Sequence, residues 1–497
     1  MLKELSQSAP PFDDELVDQL LTLPESRTFD VKRVGDNSGK IKTITAFANT
    51  DGGVLILGVE DSKKAIGRHR VYGIQENPES VAELKRLLGH RITPIVDLPH
   101  SEPLAFIEIG CTLRDGSVGS VLVVKVNKSY TVHSIVDGGT FVREESTNRH
   151  LSASQITELS MQRGAMSAVN ILVDIPFELL NTIYWKEYRD YRKLTRDIDQ
   201  ALFHLGLARK DEQGKLLPTR ASVLLFAEEP SGLLDTKCSI RIFHYKGETI
   251  EHKVETNLLR TPKTVTGPLK VQIATARDIV IDSLATGVQV GPLGFEIAQR
   301  YPVRVLTEAI TNAVIHRDYR ISADIHIRIF SNRIEIESPG VLPGGVTAYN
   351  IGIRGSHPRN RALVDHLREF PQPPNLDAGE GVRMMFETMG QADLYPPFFL
   401  TQPELNKEAV VVFLFNEHRP EAWDQVYQYL LKHKDIGNAE VRKILRTEDT
   451  IKAYKTISRW VKLGLLVVSN PTAAKQNRRY RLPGATPDQG LLSKLLG

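Results

Sequence analysis

Glu308 and Asn312 stand four apart in a run of otherwise apolar, helix-compatible residues (307–320), so on a helix both polar groups point the same way. A carboxylate beside a carboxamide oxygen is a hard donor set that suits Mg²⁺, an ion that keeps waters and bridges to substrate phosphates. Glu308 could also take a proton from water. That is the chemistry of a nucleotide site. Amphipathic helices also carry Glu and Asn at this spacing as a solvated stripe, and the pair alone does not separate the two readings. The following residues favour the site. Residues 325–330 and 333–337 alternate like paired strands around Ser331-Asn332, after which Pro339-Gly340 and Pro343-Gly344-Gly345 open a loop. Gly379 and Gly381 then precede a helix-like run at 382–389, where backbone N–H groups could cradle a phosphate.

A second concentration of chemistry lies near the N-terminus. Residues 29–33 read as a strand with Asp30 and Lys32 on one face, and 41–49 as an apolar-faced helix. The glycines of Thr50-Asp51-Gly52-Gly53 permit a left-handed turn into a buried strand at 54–59, with Glu60-Asp61 at its exit. Glu25, Asp30 and Asp61 would then converge at one end of a small sheet. Crowded carboxylates repel, and a divalent cation relieves them. With Mg²⁺ or Mn²⁺ such a cluster could hydrolyse a phosphodiester, the metal activating water and Lys32 neutralising developing charge. The plainer reading has Glu25 capping a loop, Asp30 paired with Lys32 or Arg33, and Asp61 starting a turn.

The elements that position these residues are legible in outline. A short helix at 13–23 precedes the first strand. The stretch 151–300 carries little chemical signal: 185–207 looks helical, 219–226 ends in an apolar strand-like run, 238–245 alternates as a strand and 271–284 reads as a helix. From Pro420 onward, helices at 421–432, 438–446 and 451–463 precede strand-like runs at 465–469 and 478–482, the order of a winged helix. Arg442, Lys443, Lys455, Arg459, Arg478 and Arg479 place positive charge on its helices and wing, as phosphate contacts require, although winged helices also bind proteins.

At 497 residues the chain is long enough for several domains, and its formal net charge of +3 leaves nucleic-acid contact to local patches. Cys111 and Cys238 have no metal-like or disulfide-scaffold spacing, which fits a reducing cytosol. No run of about 18 apolar residues suggests a membrane span, so the expectation is a cytoplasmic protein without membrane contact.

Residues 24–150 resemble the Schlafen-type AlbA_2 nucleic-acid-binding domain, on the strength of Glu25-Ser-x-x-Phe-Asp-Val-Lys32, the segment 44–53, Leu57-Gly-Val-Glu-Asp61 and Phe141-Val-Arg-Glu-Glu-Ser-Thr147. In Schlafen nucleases the acidic set is Glu, Glu and Asp. It falls here on Glu25, Asp30 and Asp61, so Asp30 is one methylene short, enough to move a metal ligand by about 1 Å. Residues 301–415 resemble the GHKL ATPase domain in its divergent RecG-like C-terminal form. That likeness rests on Glu308-x-x-x-Asn312, His316-Arg-Asp-Tyr319, Ser338-Pro339-Gly340, Ser356-x-x-Arg359-Asn360 and Gly379-Glu-Gly381. By it Asn312 would hold Mg²⁺, Glu308 would be the general base, Gly379 and Gly381 would belong to a lid, and the protein would form a homo-oligomer. Where the better-studied members read adenine with an Asp in an Asp-x-Gly loop, this chain has Ser338-Pro339-Gly340, so Ser338 and Gly340 would occupy that position and ATP specificity stays open.

The expected architecture is therefore α+β and multidomain: a Schlafen AlbA_2-like domain (1–160), a bridging α/β region (161–300), a GHKL-like α/β sandwich (301–418) and a winged helix (419–497). Three functions fit it. One is a nucleic-acid-binding regulator of transcription or defence, gripping DNA or RNA under control of an ATP-binding module. The second is a metal-dependent endonuclease acting through Glu25, Asp30 and Asp61. In the third, the ATPase is the main activity.

Overall fold

The central strands of the N-terminal sheet, Gly53–Leu57 and Val118–Val126, are buried on both faces, so they read as apolar runs with alternate residues entering different cores. The computed structural model describes residues 10–94, 104–129, 131–163, 167–251, 256–284, 288–291, 294–297, 301–343, 346, 348, 351–352, 358–374, 380–402, 405–433 and 435–483. The four-stranded sheet has the order Phe29–Lys32, Gly53–Leu57, Val118–Val126, Leu104–Thr112; the first pair is parallel and the rest antiparallel. Leu55, Leu57, Leu122 and Val124 pack with Ile41, Ile44 and Phe47 of the crossover helix Asn37–Ala48. Val54, Ile56, Val121 and Val123 pack on the opposite side with Val17 and Leu20 of the helix Asp14–Leu21. Gly52 closes the crossover at φ 79°, and a Cβ there would sit 2.7 Å from the Val126 carbonyl oxygen, so the expected glycine turn is enforced twice over.

The helix Ala153–Gln162 leads out of this unit. Its first turn is fixed by a reciprocal capping box between Ser152 and Gln155.

The second unit is built on a six-stranded sheet ordered Lys263–Val265, Ile240–His244, Ile325–Ile329, Arg333–Pro339, Ala409–Phe415, Phe398–Leu400. Ile240–His244 pairs in parallel with Ile325–Ile329, and the other pairings are antiparallel. Two of its strands thus come from before residue 300. One core joins Trp185, Phe226 and Ile273 to Ile310, Ile327, Met385 and Leu414, so the segment assigned to a bridge shares its interior with the segment assigned to the ATPase-like domain. The helix Leu269–Leu284 lies against Val303–Ile315 and holds the face opposite the one that carries Glu308.

Two local expectations are corrected here. The single helix expected at 185–207 is two helices, Ile183–Tyr191 and Ile198–His204, separated by a turn with Lys193 at φ 54°. The apolar run at 219–226 is a helix, Arg220–Phe226, capped by the Thr219 side chain and buried all round from Ala221 to Phe226. A run buried on every side carries no periodicity, so its apolarity suits strand and helix alike.

At the C-terminal end the helices Glu421–Lys432, Asn438–Ile444 and Thr450–Lys462 precede an antiparallel pair, Val467–Val468 with Tyr480–Arg481, and Ile436 bridges to Tyr480. These helices close over the end of the large sheet. Trp460, Trp423, Tyr395 and Phe415 form one aromatic cluster, and the Trp460 indole N–H donates to the Tyr395 hydroxyl at 3.2 Å. No described helix is long and apolar enough to cross a membrane.

Because Trp460 belongs to the joint between helices and sheet, Trp460→Ala should cost about 3–5 kcal/mol. Urea unfolding followed by circular dichroism should show the sheet and the C-terminal helices losing stability together; an unshifted sheet transition would show that the two are independent.

Candidate functional site

Asp30 sits on the strand Phe29–Lys32 and is 1% exposed, a position at which an ionised carboxylate needs partners. It has them. The Arg143 guanidinium approaches its Oδ2 at 3.2 Å, Lys32 Nζ does so at 3.2 Å, and the Thr43 hydroxyl donates to the same oxygen at 3.2 Å. Oδ1 accepts from the Val31 amide at 2.9 Å. Arg143 is itself buried, on the ribbon Phe141–Glu144, and also donates to Asn148 Oδ1 at 3.0 Å and to the Ser26 carbonyl at 3.2 Å. Asn148 in turn donates to Thr43 at 2.9 Å, which closes the ring of side chains.

Glu25 and Asp61 lie in the same electrostatic neighbourhood as Asp30. Burial raises the Glu25 carboxyl above its ordinary value, and the charges of Asp30 and Asp61 push it the same way against Lys32 and Arg143. Asp61 opens a turn, its Oδ1 accepting from the Lys63 amide at 2.9 Å. The fully buried Arg70 lies within reach of the charges of Asp61, Glu25 and Glu60 and is anchored on the carbonyls of Glu60 and Leu21.

Among the described residues no group of three His, Cys, Asp or Glu side chains is arranged to hold a metal. The donor set at Asp30 does not fit one either, since Oδ2 already receives two cations and a hydroxyl. The plainer expectation, Asp30 paired with Lys32, describes the geometry, and Arg143 is the residue that motif reading passed over. Its signal was an arginine at the inward position of an alternating strand, where an unpaired charge is not tolerated.

The second site is a cavity of about 440 Å³ between the helix Val303–Ile315, the strand Arg333–Pro339 and the helix Gly381–Gln391. Glu308, Asn312, His316, Ser338, Gly340 and Gly381 all line it. Asn312 Nδ2 donates to Glu308 Oε1 at 2.9 Å, which leaves the carboxamide oxygen for another partner. Burial raises the Glu308 carboxyl above its usual value, opposed by the Asn312 hydrogen bond and by Arg304. The helix Gly381–Gln391 begins against this carboxylate, and a Cβ at residue 381 would overlap it. Ser338 is buried and donates its hydroxyl to the Ala313 carbonyl at 2.7 Å. Gly379, Ser356 and Asp377 lie outside the described residues.

The motif around His316 is a scaffold beside the cavity. Asp318, 2% exposed, receives Arg359 at 3.0 Å and Arg320 at 2.5 Å. Burial works to raise its carboxyl, but the Arg320 hydrogen bond and the Arg359 charge outweigh burial and hold it below the carboxylate range. Asn360 donates to the carbonyls of Ile315 and Arg317, both at 2.8 Å, and so ends the helix that bears Glu308. Burial, aided by Arg359, pushes His316 down to about 4, which keeps it neutral at physiological pH.

Of the C-terminal basic residues, Arg479 is engaged by Asp435 and Glu440, Arg459 by Glu417 at 2.5 Å, and Arg442 by Glu448 at 3.6 Å. Lys443, Lys455 and Arg478 have no ion-pair partner among the described residues. On the same helix as Lys455, Ile451 and Tyr454 are exposed.

Residues 25–152 match the family model described as Schlafen, AlbA_2, and residues 322–413 match the one described as Putative ATP-dependent DNA helicase recG C-terminal. Both agree with the domains inferred from the motifs. The second match begins after the helix of Glu308 and Asn312. No curated protein matches the chain. Among solved structures, the crystal structure of the DIP2311 protein from Corynebacterium diphtheriae aligns with 96% of this chain and 98% of its own length, at 17% identity and a TM-score of 0.39. The two family matches tie the chain to nucleic-acid-related function.

Removing one partner of a buried ion pair leaves an uncompensated charge, so Arg143→Met should destabilise the N-terminal unit by about 3–5 kcal/mol, and adding Asp30→Asn should restore most of it. Equal losses in the single and double variants, measured by urea unfolding, would show that Asp30 does not depend on Arg143. For Glu308 the raised carboxyl means that the fold binds its proton more tightly than the unfolded chain does. Ionisation therefore lowers stability as pH rises through and above the ordinary Glu value. Glu308→Gln should raise the melting temperature at about pH 8, and the gain should vanish near about pH 4, where both side chains are neutral.

Proposed function

We propose that this chain is a nucleic-acid-binding regulator, of the transcriptional or defence-linked kind, whose grip on DNA or RNA is modulated by an adenine nucleotide held in the cavity beside Glu308. The observation that carries the reading is the acceptor-rich side of that cavity. Ser338 gives its only hydrogen to Ala313, so toward a ligand it offers lone pairs alone. An acceptor at that position suits an exocyclic amino group, the role an Asp would otherwise fill. The volume lies within the roughly 300–1,000 Å³ usual for small-molecule sites. Arg304 and Arg383 line the cavity with positive charge, and the first turn of the helix Gly381–Gln391 favours phosphate.

The Asn312 carboxamide oxygen and Glu308 form a hard-oxygen pair suited to Mg²⁺, which when bound would neutralise phosphate charge. Glu308 Oε1 is occupied by Asn312, which leaves Oε2 to accept a proton from water, and burial makes that oxygen the stronger base. Weak hydrolysis is compatible with this arrangement and is not required for a switch. Nucleic acid would be met at the N-terminal domain and at the C-terminal helices, read as a winged helix, where Lys443, Lys455 and Arg478 are the available phosphate contacts. The alternative, an endonuclease on Glu25, Asp30 and Asp61, requires Arg143 to leave Asp30; its occupied carboxylate favours binding over cleavage.

Calorimetry with Mg-ATP and Mg-GTP, alongside anisotropy with labelled duplex DNA, single-stranded DNA and tRNA in the presence of Mn²⁺, tests both halves. ATP should bind, and Ser338→Ala should weaken it about fivefold, the value of one ordinary hydrogen bond near 1 kcal/mol, while leaving GTP unchanged. Nucleic-acid affinity should fall steeply with salt, and Lys443→Ala with Lys455→Ala should flatten that dependence. Absence of nucleotide binding would overturn the switch; cleavage lost in Asp61→Ala would replace the regulator with the nuclease.

A further inference from the structure

We propose that the helix Ala153–Gln162 is a lever that couples occupancy of the cavity to the charge cluster around Asp30, with Arg320 as its pivot. The proposal rests on the reading that the cavity takes a nucleotide and names how the other domain would sense it.

The loop that borders the cavity is gripped at three successive residues. The Pro339 carbonyl accepts from the Asp318 amide at 2.8 Å, the Gly340 amide donates to the Glu408 carbonyl at 2.9 Å, and the Val341 carbonyl accepts from Arg359. Gly340 adopts φ 107°, and a Cβ there would lie 2.7 Å from Asp318 Cβ, so loop and Asp318 must shift together. Two of these grips lead to the same helix. Asp318 binds Arg320, whose Nη1 reaches Glu158 at 2.8 Å, and the Glu408 side chain accepts from Gln162 at 3.3 Å. Glu158 and Gln162 stand at i and i+4, on one face of the helix.

The helix is anchored to the N-terminal domain at both ends, and the C-terminal anchor, Arg163, directly follows Gln162. Arg163, 6% exposed, donates to the carbonyls of Ala48 at 3.4 Å and Thr50 at 3.2 Å, at the terminus of the helix Asn37–Ala48. The Thr50 hydroxyl accepts from the Arg143 amide at 2.7 Å, and the Arg143 guanidinium holds Asp30. At the start of the lever the Leu151 amide donates to Thr140 at 2.8 Å, and the capping box closes the first turn. The rod between these anchors is about 15 Å long at 1.5 Å per residue. A displacement of the Pro339–Val341 loop is therefore felt at Asp318. A buried carboxylate cannot leave its cations unmatched, so Arg320 and Glu158 follow it.

Hydrogen exchange measured by mass spectrometry on the full chain tests the lever. Mg-ATP should slow exchange in 153–162 and 48–50 as well as around 308–312, and should change nucleic-acid affinity by about fivefold or more. In Glu158→Gln the cavity should still be protected, while protection of the helix and the change in affinity are lost. Without any ligand, Arg163→Met should speed exchange at 340–343 in addition to 48–50. Protection confined to the cavity in the wild type, or a full response in Glu158→Gln, would overturn the lever. If ATP protects nothing, the reading of the cavity fails. The ligand-free arm then decides: faster exchange at 340–343 supports the lever, and a change limited to 48–50 and 153–163 overturns it.

Discussion

A carboxylate taken out of water must be met by positive charge, and this rule shapes both places where the chain concentrates its chemistry. Asp30 and Asp318 are each almost fully buried, and each is flanked by one deeply buried arginine and one more accessible cation: Arg143 with Lys32, and Arg359 with Arg320. Such pairs contribute little net stability, because desolvation offsets most of the attraction, yet breaking one is costly. Their effect is geometric. At Asp30 the arrangement fixes the ribbon that carries Arg143 against the crossover helix. At Asp318 it fixes the loop that forms one wall of the cavity.

The large sheet explains why the cavity is held where it is. Strands from 240–265 and from 325–415 form one hydrogen-bonded surface, and the helices Val303–Ile315 and Leu269–Leu284 both pack on it and against each other. The buried stripe of Val305, Leu306 and Ile310 turns toward the core, so Glu308 and Asn312, with Ala309 and Ala313, are presented to the cavity by packing against residues earlier in the chain. The C-terminal helices cap the sheet through Tyr395 and Trp460, which places the surface bearing Lys443 and Lys455 in direct mechanical contact with the same unit.

Most elements were legible because their periodicity was clean. Ile325–Ile329 and Arg333–Pro339 alternate along an antiparallel pair, and Gly52 marks the turn that only a glycine allows there. Legibility failed where burial erased the pattern, as in Arg220–Phe226, or where one residue at positive φ interrupted an otherwise helical run, as at Lys193. Site residues followed the same division. Glu308, Asn312, Ser338 and Gly340 were identified by type and spacing and do line one cavity. The expectation that Glu25, Asp30 and Asp61 share a cation ignored the competition for Asp30, which depends on Arg143, a residue 113 positions away whose approach no local pattern reveals.

By itself, the amino-acid sequence determined which groups were available for chemistry: one acidic cluster, a Glu–Asn pair at helical spacing, glycines at the turns and a basic C-terminal module. Those properties are local, set by side-chain type and by the period of helix and strand. Only the tertiary structure decided which charges neutralise one another. Pairing depends on distance and on exclusion of water, and both arise when segments far apart in the chain are brought into one dry interior. That is why Arg143 answers Asp30, why Arg359 and Arg320 answer Asp318, and why Arg459 and Arg479 are engaged by acids while Lys443 and Lys455 stay available.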